Sequence, residues 1–493
     1  MSKIAIIGSG FSGLSAASYL SAAGHDVHVF EKNETAGGRA RQFKTASGYV
    51  FDMGPSWYWM PDVFEKFFGD FDSKVSDFYT LKLLNPSFDV VFENNETVSV
   101  PENFEALCLL FESIEKGSAL RLRAFMKEAE FKYKKGMRDL VYKPGLSITE
   151  FADLSLIKNA FRLQVFSSFS KHVRKYFSHP KLIALMEFPV LFLGATPDDT
   201  PALYSLMNYA GLTLGTWYPD GGFGKIIDAM MAVAKKNNTT IHLNAAVEKI
   251  EVENNKTTKL LVKGSYFNCD AVIASADYHH VEKDLLPKEY RNYSEKYWEK
   301  KTFAPSCLIF FIGLKKKIAK LNHHTLFFDE DLTQHSKEIY KTPQWPSKPL
   351  FYVCCPSKTD KSVAPDGHEN LFLLMPIASG LEDTLDLHEK YYNVMMQRLG
   401  TQTGENLLPY VDFKQSYCVN DFITDYNSYK GNAYGLANTL PQTAIFKPKM
   451  KNKKIKNIFY AGQLTVPGPG VPPSIISGKI AADQLIKYLN KQN

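Results

Sequence analysis

Apolar residues form a short run at Ile4–Ile7, break at a Gly-rich turn, and return at helical spacing at Leu14, Ala17, Leu20 and Ala23. The change of period predicts a strand followed by a helix. Gly24 stands where a helix would end, and Val27-His28-Val29-Phe30 reads as a second strand closing at Glu31. A second strand-rich stretch begins near Thr240. Ile241–Leu243, Val247–Val252, Lys259–Val262 and Ala271–Ala274 are separated by turn residues such as Asn254-Asn255 and Lys263-Gly264, which predicts a strand followed by a small meander. The C-terminal stretch repeats the opening logic: strand Ile458–Ala461, a Gly/Pro loop, and a helix through Ile476, Ile480, Leu485 and Leu489. These three segments predict one discontinuous α/β domain over 1–99, 216–294 and 431–493. The two insertions, 100–215 and 295–430, are rich in Phe, Leu, Lys and Tyr and predict a second domain. No solenoid repeat or low-complexity tract is visible.

Composition narrows the class. The 493 residues carry 22% charged and 45% hydrophobic positions and a net charge of +6. That excludes disordered, collagenous and coiled-coil chains and leaves room for a sizeable core. Aromatic residues make up 13%, a mild excess that by itself means a Phe-rich core. Six scattered cysteines without a CxxC pair fit neither a disulfide framework nor a zinc pattern, so reduced thiols and a cytoplasmic chain are expected. Gly8 cuts the first apolar run too early for a signal-peptide core. Cys307–Leu314 falls far short of the roughly 20 residues a membrane span needs. Membrane contact, if any, is peripheral. No nucleic-acid recognition module is visible and the charge is modest, so nucleic acid is not an expected partner.

Gly8-x-Gly10-x-x-Gly13 between strand and helix is a dinucleotide fingerprint. The first Gly permits the tight turn, the second lets backbone approach a pyrophosphate, and the third lets helix and strand pack closely. The helix N-terminus presents free N–H groups to the phosphates. Glu31, eighteen residues past Gly13, suits the ribose hydroxyls and disfavours a 2′-phosphate. The fingerprint does not separate FAD from NAD. Gly37-Gly38-Arg39 adds a second close-approach turn with a cation able to reach a pyrophosphate bidentately. Tyr460-Ala461-Gly462-Gln463, followed by Pro467-Gly468-Pro469-Gly470-Val471-Pro472, adds a second helix N-terminus at the far end of the chain. That end suits the flavin of an FAD, where a helix dipole stabilises negative charge on the reduced ring.

With Phe51–Trp57 and Trp217–Gly222, these motifs resemble the carotenoid desaturases of the phytoene-desaturase type, in the amine-oxidase-like flavoprotein superfamily. The similarity runs nearly end to end. It implies a Rossmann-like FAD domain with an inserted α+β substrate domain, of the p-hydroxybenzoate hydroxylase/amine oxidase type. It also implies a non-covalent FAD enzyme that desaturates a long-chain carotenoid held between the domains. Phytoene, taken towards lycopene, is the first expectation, and the 3,4-desaturation of a hydroxylated carotenoid is the alternative. A flavin amine oxidase of the same superfamily and, in a different class, a non-enzymatic prenyl-binding escort protein on the related scaffold are the more distant alternatives. No Cys follows Cys418, which argues against the covalent flavin of many amine oxidases. The implied cofactor contacts are Gly8, Ser9, Gly10, Phe11, Ser12 and Gly13; Glu31 and Lys32; Gly37, Gly38 and Arg39; and Gly54, Pro55, Ser56 and Trp57. Val247 joins them on the adenine side, and Gly462, Gln463, Gly470, Val471 and Pro472 near the flavin. Many relatives in the superfamily carry an acid where this chain has Gln463.

Taking hydrogen from an unactivated hydrocarbon needs a hydride acceptor that no side chain supplies. No metal or nucleophile constellation is therefore expected. Adjacent residues of an extended chain point apart, so His279-His280 and His323-His324 are poor joint ligands. Asp220 and Asp277 read as turn and capping residues. Oxygen or a quinone is the open choice of electron acceptor. Trp57–Met60 with Phe64, Phe67 and Phe68 reads equally as tunnel wall or as packed helix face. The basic, aromatic segment Phe161–Phe177 and the lysine run Lys447–Lys456 read as solvated basic surfaces or as contacts with an anionic membrane.

Overall fold

The computed structural model describes residues 1–147, 150, 163–165, 167–191 and 194–492. Five parallel strands form the first sheet: β1 (Lys3–Ile7), β2 (Asp26–Phe30), β3 (Thr240–His242), β4 (Ala271–Ala274) and β5 (Ile458–Tyr460), in the order β5-β4-β1-β2-β3. Pairings such as Ile4 with Val27 and Ala271, and Val272 with Ile458, bring the three sequence segments into one sheet. The central strands β1 and β4, with β5, are nearly continuous apolar runs and are buried on both faces, while β2 and β3 carry polar, partly exposed positions. Helices α1 (Phe11–Ala22), α2 (Gly224–Lys236) and α3 (Val471–Leu489) pack beside this sheet. Helices α1 and α3 nearly touch, since a Cβ on Gly478 would lie 2.3 Å from the Ser12 carbonyl. The meander Val247–Glu253, Lys256–Val262 and Ser265–Asn268 forms a separate antiparallel sheet. Its turns place Asn254, Asn255, Lys263 and Gly264 at positive φ.

A second, mixed sheet of seven strands runs Val411–Tyr417, Ser306–Leu314, Glu369–Ile377, Phe351–Cys354, His324–Phe327, Phe88–Val91, Thr97–Val100. All its pairings are antiparallel except His324–Phe327 with Phe88–Val91. Its strand Phe88–Val91 precedes residue 100 and Thr97–Val100 ends on it, so the sequence-based boundary at 99/100 falls inside a strand of this sheet. Ser306–Leu314 is buried along its whole length. Leu308, Phe310 and Ile312 pack with Tyr391, Met395 and Leu399 of the helix Leu385–Thr403. Cys307, Ile309 and Phe311 belong to the core shared with the first sheet.

The large aromatic content is mostly core. In helix Pro61–Gly69, Phe64, Phe67 and Phe68 are all buried, and Phe64 stacks on Tyr58 at 4.2 Å. In the segment 161–177, Phe161, Arg162 and Phe166 lie outside the described residues. Leu163, Phe169, Val173 and Phe177 face the core, while Lys171, Arg174 and Lys175 face solvent. No helix among the described residues is long and apolar enough to cross a membrane.

Candidate functional site

The first site element is the turn between β1 and α1. Gly8 takes φ +98°, and its N–H donates to the Phe30 carbonyl at 2.8 Å. A Cβ on Gly13 would sit 2.0 Å from the Gly8 carbonyl, so only glycine lets the helix begin this close to the strand. Gly10 is different. Its Cβ would meet nothing nearer than Gly38 Cα at 3.9 Å, so it faces open space. Glu31, at the end of β2 and 4% exposed, accepts from Ser9 N–H at 3.0 Å and Ser9 Oγ at 2.7 Å. Its second oxygen accepts from the Asn33 backbone and side-chain N–H groups at 3.0 and 3.1 Å. The Ser9 hydroxyl and the Asn33 amide are mobile donors that ribose hydroxyls can replace, while the two backbone donors keep the carboxylate in place.

The Gly37-Gly38 turn docks on this loop. Gly37 N–H donates to the Ser9 carbonyl at 3.1 Å, and both glycines have positive φ. Arg39 leaves the turn half-buried. Its Nη2 donates to Ser428 Oγ at 3.0 Å and to the Asn432 carbonyl at 3.2 Å, whereas its Nε is buried without a partner. Gly54 packs on the Arg39 carbonyl, where a Cβ would come within 2.6 Å. Asp277 faces Arg39 across the cleft. Burial pushes its carboxyl above the usual carboxylate range, against the pull of Arg39. Asp277 also caps the following turn by accepting from His279 and His280 N–H, the capping role expected from sequence.

The third element is the C-terminal motif. Gly462, at φ +111°, donates its N–H to Ser477 Oγ at 3.0 Å. Gly470 is the N-cap of α3 at φ +114°. Ser15 Oγ donates to the Ile475 carbonyl at 2.7 Å, tying α1 to α3. The N-termini of α1 and α3 therefore converge on one cleft, each adding the positive end of its dipole. With its amide oxygen towards Arg39, Gln463 accepts from Arg39 Nη2 at 3.1 Å and donates to the Ala433 carbonyl at 3.2 Å. The position often held by an acid in relatives is here a neutral partner of the cleft's arginine.

The cleft encloses about 440 Å³. Gly8, Ser9, Gly10, Phe11, Ser12, Glu31, Lys32, Gly37, Gly38, Arg39, Gly54, Pro55, Val247, Gly462, Gln463, Gly470 and Val471 all line it. Gly13, Ser56, Trp57 and Pro472 do not. Gly13 and Pro472 lie within the first turns of α1 and α3. Ser56 and Trp57 turn away to the second sheet, where Ser56 Oγ lies 3.0 Å from the Tyr352 hydroxyl and Trp57 stacks on His324 at 4.1 Å. Sequence reasoning missed Cys307, Ile309 and Leu374, which form an apolar wall from the second sheet, together with Tyr426 and Tyr434. The helix Val419–Tyr426 closes one side. Lys32 Nζ and Asn33 Nδ2 donate to its carbonyls at Thr424 and Asp425, and Arg41 pairs with Asp425. Strand alternation in Ser306–Leu314 carried a signal for Cys307 and Ile309, but nothing in an all-apolar run says which alternate set faces the cleft.

The flavin-containing amine oxidoreductase family model matches residues 11–486. The chain belongs to this family. Within the curated proteins, a carotenoid 3,4-desaturase of Haloarcula japonica is 38% identical over 98% of both chains. A zeta-carotene-forming phytoene desaturase of Myxococcus xanthus is 28% identical over 99% of this chain and 95% of that one. Among solved structures, an oxidoreductase from Methanosarcina mazei superposes with a TM-score of 0.62 at 17% identity, covering 98% of this chain and 100% of that one; at that identity the likeness speaks for the fold alone. The family's cofactor is a flavin, and the cleft fits FAD. It offers two helix N-termini, a fixed carboxylate, open space over Gly10, and an arginine whose buried Nε lacks a partner.

Proposed function

We propose that the protein is an FAD-dependent carotenoid desaturase, removing hydrogen from adjacent CH–CH carbons of a long polyisoprenoid. The observation that carries this reading is a cleft that is polar at its dinucleotide end and walled by Cys307, Ile309 and Leu374 at the other. FAD, when bound, supplies the hydride acceptor. The chain does the rest. Gly8–Gly13, Glu31 and Arg39 hold the nucleotide end. Gly462, Gly470 and Val471, with the N-terminus of α3, hold the flavin end and favour negative charge there. The apolar wall excludes water and aligns the hydrocarbon. Burial pushes the Cys307 thiol well above its ordinary range, so it is a neutral wall residue at this site. By this reading the carotenoid reaches the protein from a bilayer. The exposed Leu440 and Phe446 support peripheral attachment to a membrane surface; a cytoplasmic location and oxygen or a quinone as electron acceptor complete the proposal.

Of the two carotenoid readings, we favour the 3,4-desaturation of a hydroxylated carotenoid over the phytoene reading. The support is the identity to the Haloarcula 3,4-desaturase, 38% against 28% for the Myxococcus phytoene desaturase. The test is expression in two hosts, one accumulating phytoene and one a hydroxylated carotene. Conversion of the hydroxylated carotene with one added conjugated double bond, while phytoene is unchanged, is expected. Red pigment from phytoene would return the assignment to the phytoene type.

A further inference from the structure

Outside the cleft, two clusters among the described residues bring histidine and cysteine donors together: Asp383/His388/Cys418 and His323/His324/Cys354. In the first, both His388 nitrogens are taken, one by Asp383 at 2.6 Å and one by Ser416 Oγ at 2.9 Å. In the second they are not. His323, His324 and Cys354 are 4%, 0% and 2% exposed, and one donor atom of each lies within 4.8 Å of the other two. The adjacent histidines converge because the strand begins between them. His324 opens the strand His324–Phe327 and His323 precedes it, so the alternation expected of extended neighbours does not apply. Their ring centroids lie 4.4 Å apart at 70°. Cys354 is the direct cross-strand partner of His324, which puts both side chains on one face.

The surroundings are those of a ligand set. His323 Nδ1 lies 2.7 Å from Thr359 Oγ1, and His324 Nδ1 lies 2.6 Å from the Tyr352 hydroxyl. Both Nε2 atoms are buried without a hydrogen-bond partner. An imidazole anchored through Nδ1–H to an oxygen keeps its lone pair on Nε2, which is how ligating histidines are oriented. Burial holds both rings neutral, with His323 lowered to about 3. Two unpaired buried nitrogens, on rings that each bring one nitrogen within 4.8 Å of the Cys354 sulfur, carry a desolvation cost that a bound cation would relieve. Two imidazoles and a thiolate with no carboxylate suit a borderline-soft d¹⁰ ion. Beside Cys354 is a cavity of about 20 Å³, also lined by Ser56, Tyr218 and Asp52, with room for one water.

We propose that His323, His324 and Cys354 bind one Zn²⁺ through the two Nε2 atoms and the Cys354 thiolate, with a water as fourth ligand. On binding, the thiol proton is released to solvent and no oxidation occurs. The ion ties two strands of the second sheet together beneath Trp57, whose ring stacks on His324 at 11°. It therefore supports the loop that carries Gly54 and Pro55 into the cleft.

The test uses FAD-loaded enzyme from cells grown with added zinc. Metal analysis of the wild type is expected to give close to one zinc per chain, with C354S and H324Q each losing it and H388Q, at the other cluster, keeping it. FAD content and circular dichroism show whether each variant is folded. A second measurement needs no variant. Enzyme produced with Co²⁺ in place of zinc is expected to show visible d–d bands at wavelengths beyond the flavin absorption, of tetrahedral intensity. Wild-type enzyme well under one zinc equivalent, cobalt enzyme without those bands, or a folded C354S that retains the metal would each overturn the proposal.

Discussion

Replacing Gly10 by valine separates cofactor binding from folding. Gly10 sits at φ −70° and ψ 179°, extended backbone that any residue adopts. A Cβ there meets nothing closer than 3.9 Å, so the valine side chain enters the cleft where the pyrophosphate is expected to run. As an N-cap, valine is poorer than glycine by up to about 1 kcal/mol, a small loss for a chain of this size. The binding loss is larger. Pushing a diphosphate off the α1 N-terminus removes two or three charge-assisted hydrogen bonds at roughly 1.5–3 kcal/mol each. Even partly compensated by water, about 3–6 kcal/mol corresponds to FAD binding weakened by roughly 10²–10⁴-fold. Gly13→Ala is the contrasting change. Its Cβ falls 2.0 Å from the Gly8 carbonyl, and relieving that clash moves backbone, at about 1–3 kcal/mol or more. Flavin absorbance per chain after gel filtration, with thermal unfolding of the apoproteins, distinguishes the two. Gly10→Val is expected to emerge flavin-free with an apoprotein Tm close to wild type, and Gly13→Ala to unfold at lower temperature even as apoprotein. A Gly10→Val enzyme that keeps stoichiometric FAD with wild-type affinity would refute the placement of the pyrophosphate.

Arg39→Met removes the cleft's unpartnered donor; titration of apoprotein with FAD should show binding weakened about tenfold or more, as for loss of a charged hydrogen bond, and unchanged affinity would remove Arg39 from the cofactor site. Burial pushes Glu282, 1% exposed, up to about 7 from 4.5. The folded state therefore binds this proton more tightly than the unfolded state, and the stability it brings is full below about pH 4.5 and is lost as pH rises through 7. Urea unfolding between pH 5 and 8 should show a decline of up to about 3 kcal/mol at ~1.4 kcal/mol per pKa unit; Glu282→Gln should flatten the profile, and an unchanged slope in that variant would contradict the assignment. Lys447, buried with an unpartnered Nζ and lowered to about 7 from 10.5, gives the opposite slope, because between those values the unfolded state binds the extra proton. Lys447→Met should raise Tm most at pH 7 and below, with the gain shrinking towards pH 10; a gain that grows with pH would be inconsistent with a buried, unpaired amine.

The parts of the cleft legible in the sequence are those where backbone geometry restricts residue type. Gly8 needs positive φ, Gly13 and Gly54 have no room for a Cβ, and Gly37, Gly38, Gly462 and Gly470 all lie at positive φ, so glycine patterns marked them. Glu31 followed from its offset along β2. The apolar wall did not show. Ser306–Leu314 is buried on both faces, and an unbroken apolar run hides the phase of alternation that puts Cys307 and Ile309 on the cleft. Phe64, Phe67 and Phe68 look alike as tunnel or core, and only packing against Tyr58 and its neighbours makes them core. Ser56 and Trp57 sit one and two residues past cleft-lining Pro55 yet turn to the second sheet, which motif proximity alone does not disclose. The same holds for Phe88–Val91, which is parallel to a strand more than two hundred residues away.

The most direct test of the account is anaerobic mixing of the FAD-loaded enzyme with carotenoid in lipid vesicles, following flavin and carotenoid absorbance together. The account predicts bleaching of the oxidised flavin in step with a red shift of the carotenoid, one new double bond for each flavin reduced. A flavin that stays oxidised with every carotenoid offered, and bleaches with an amine instead, would contradict it.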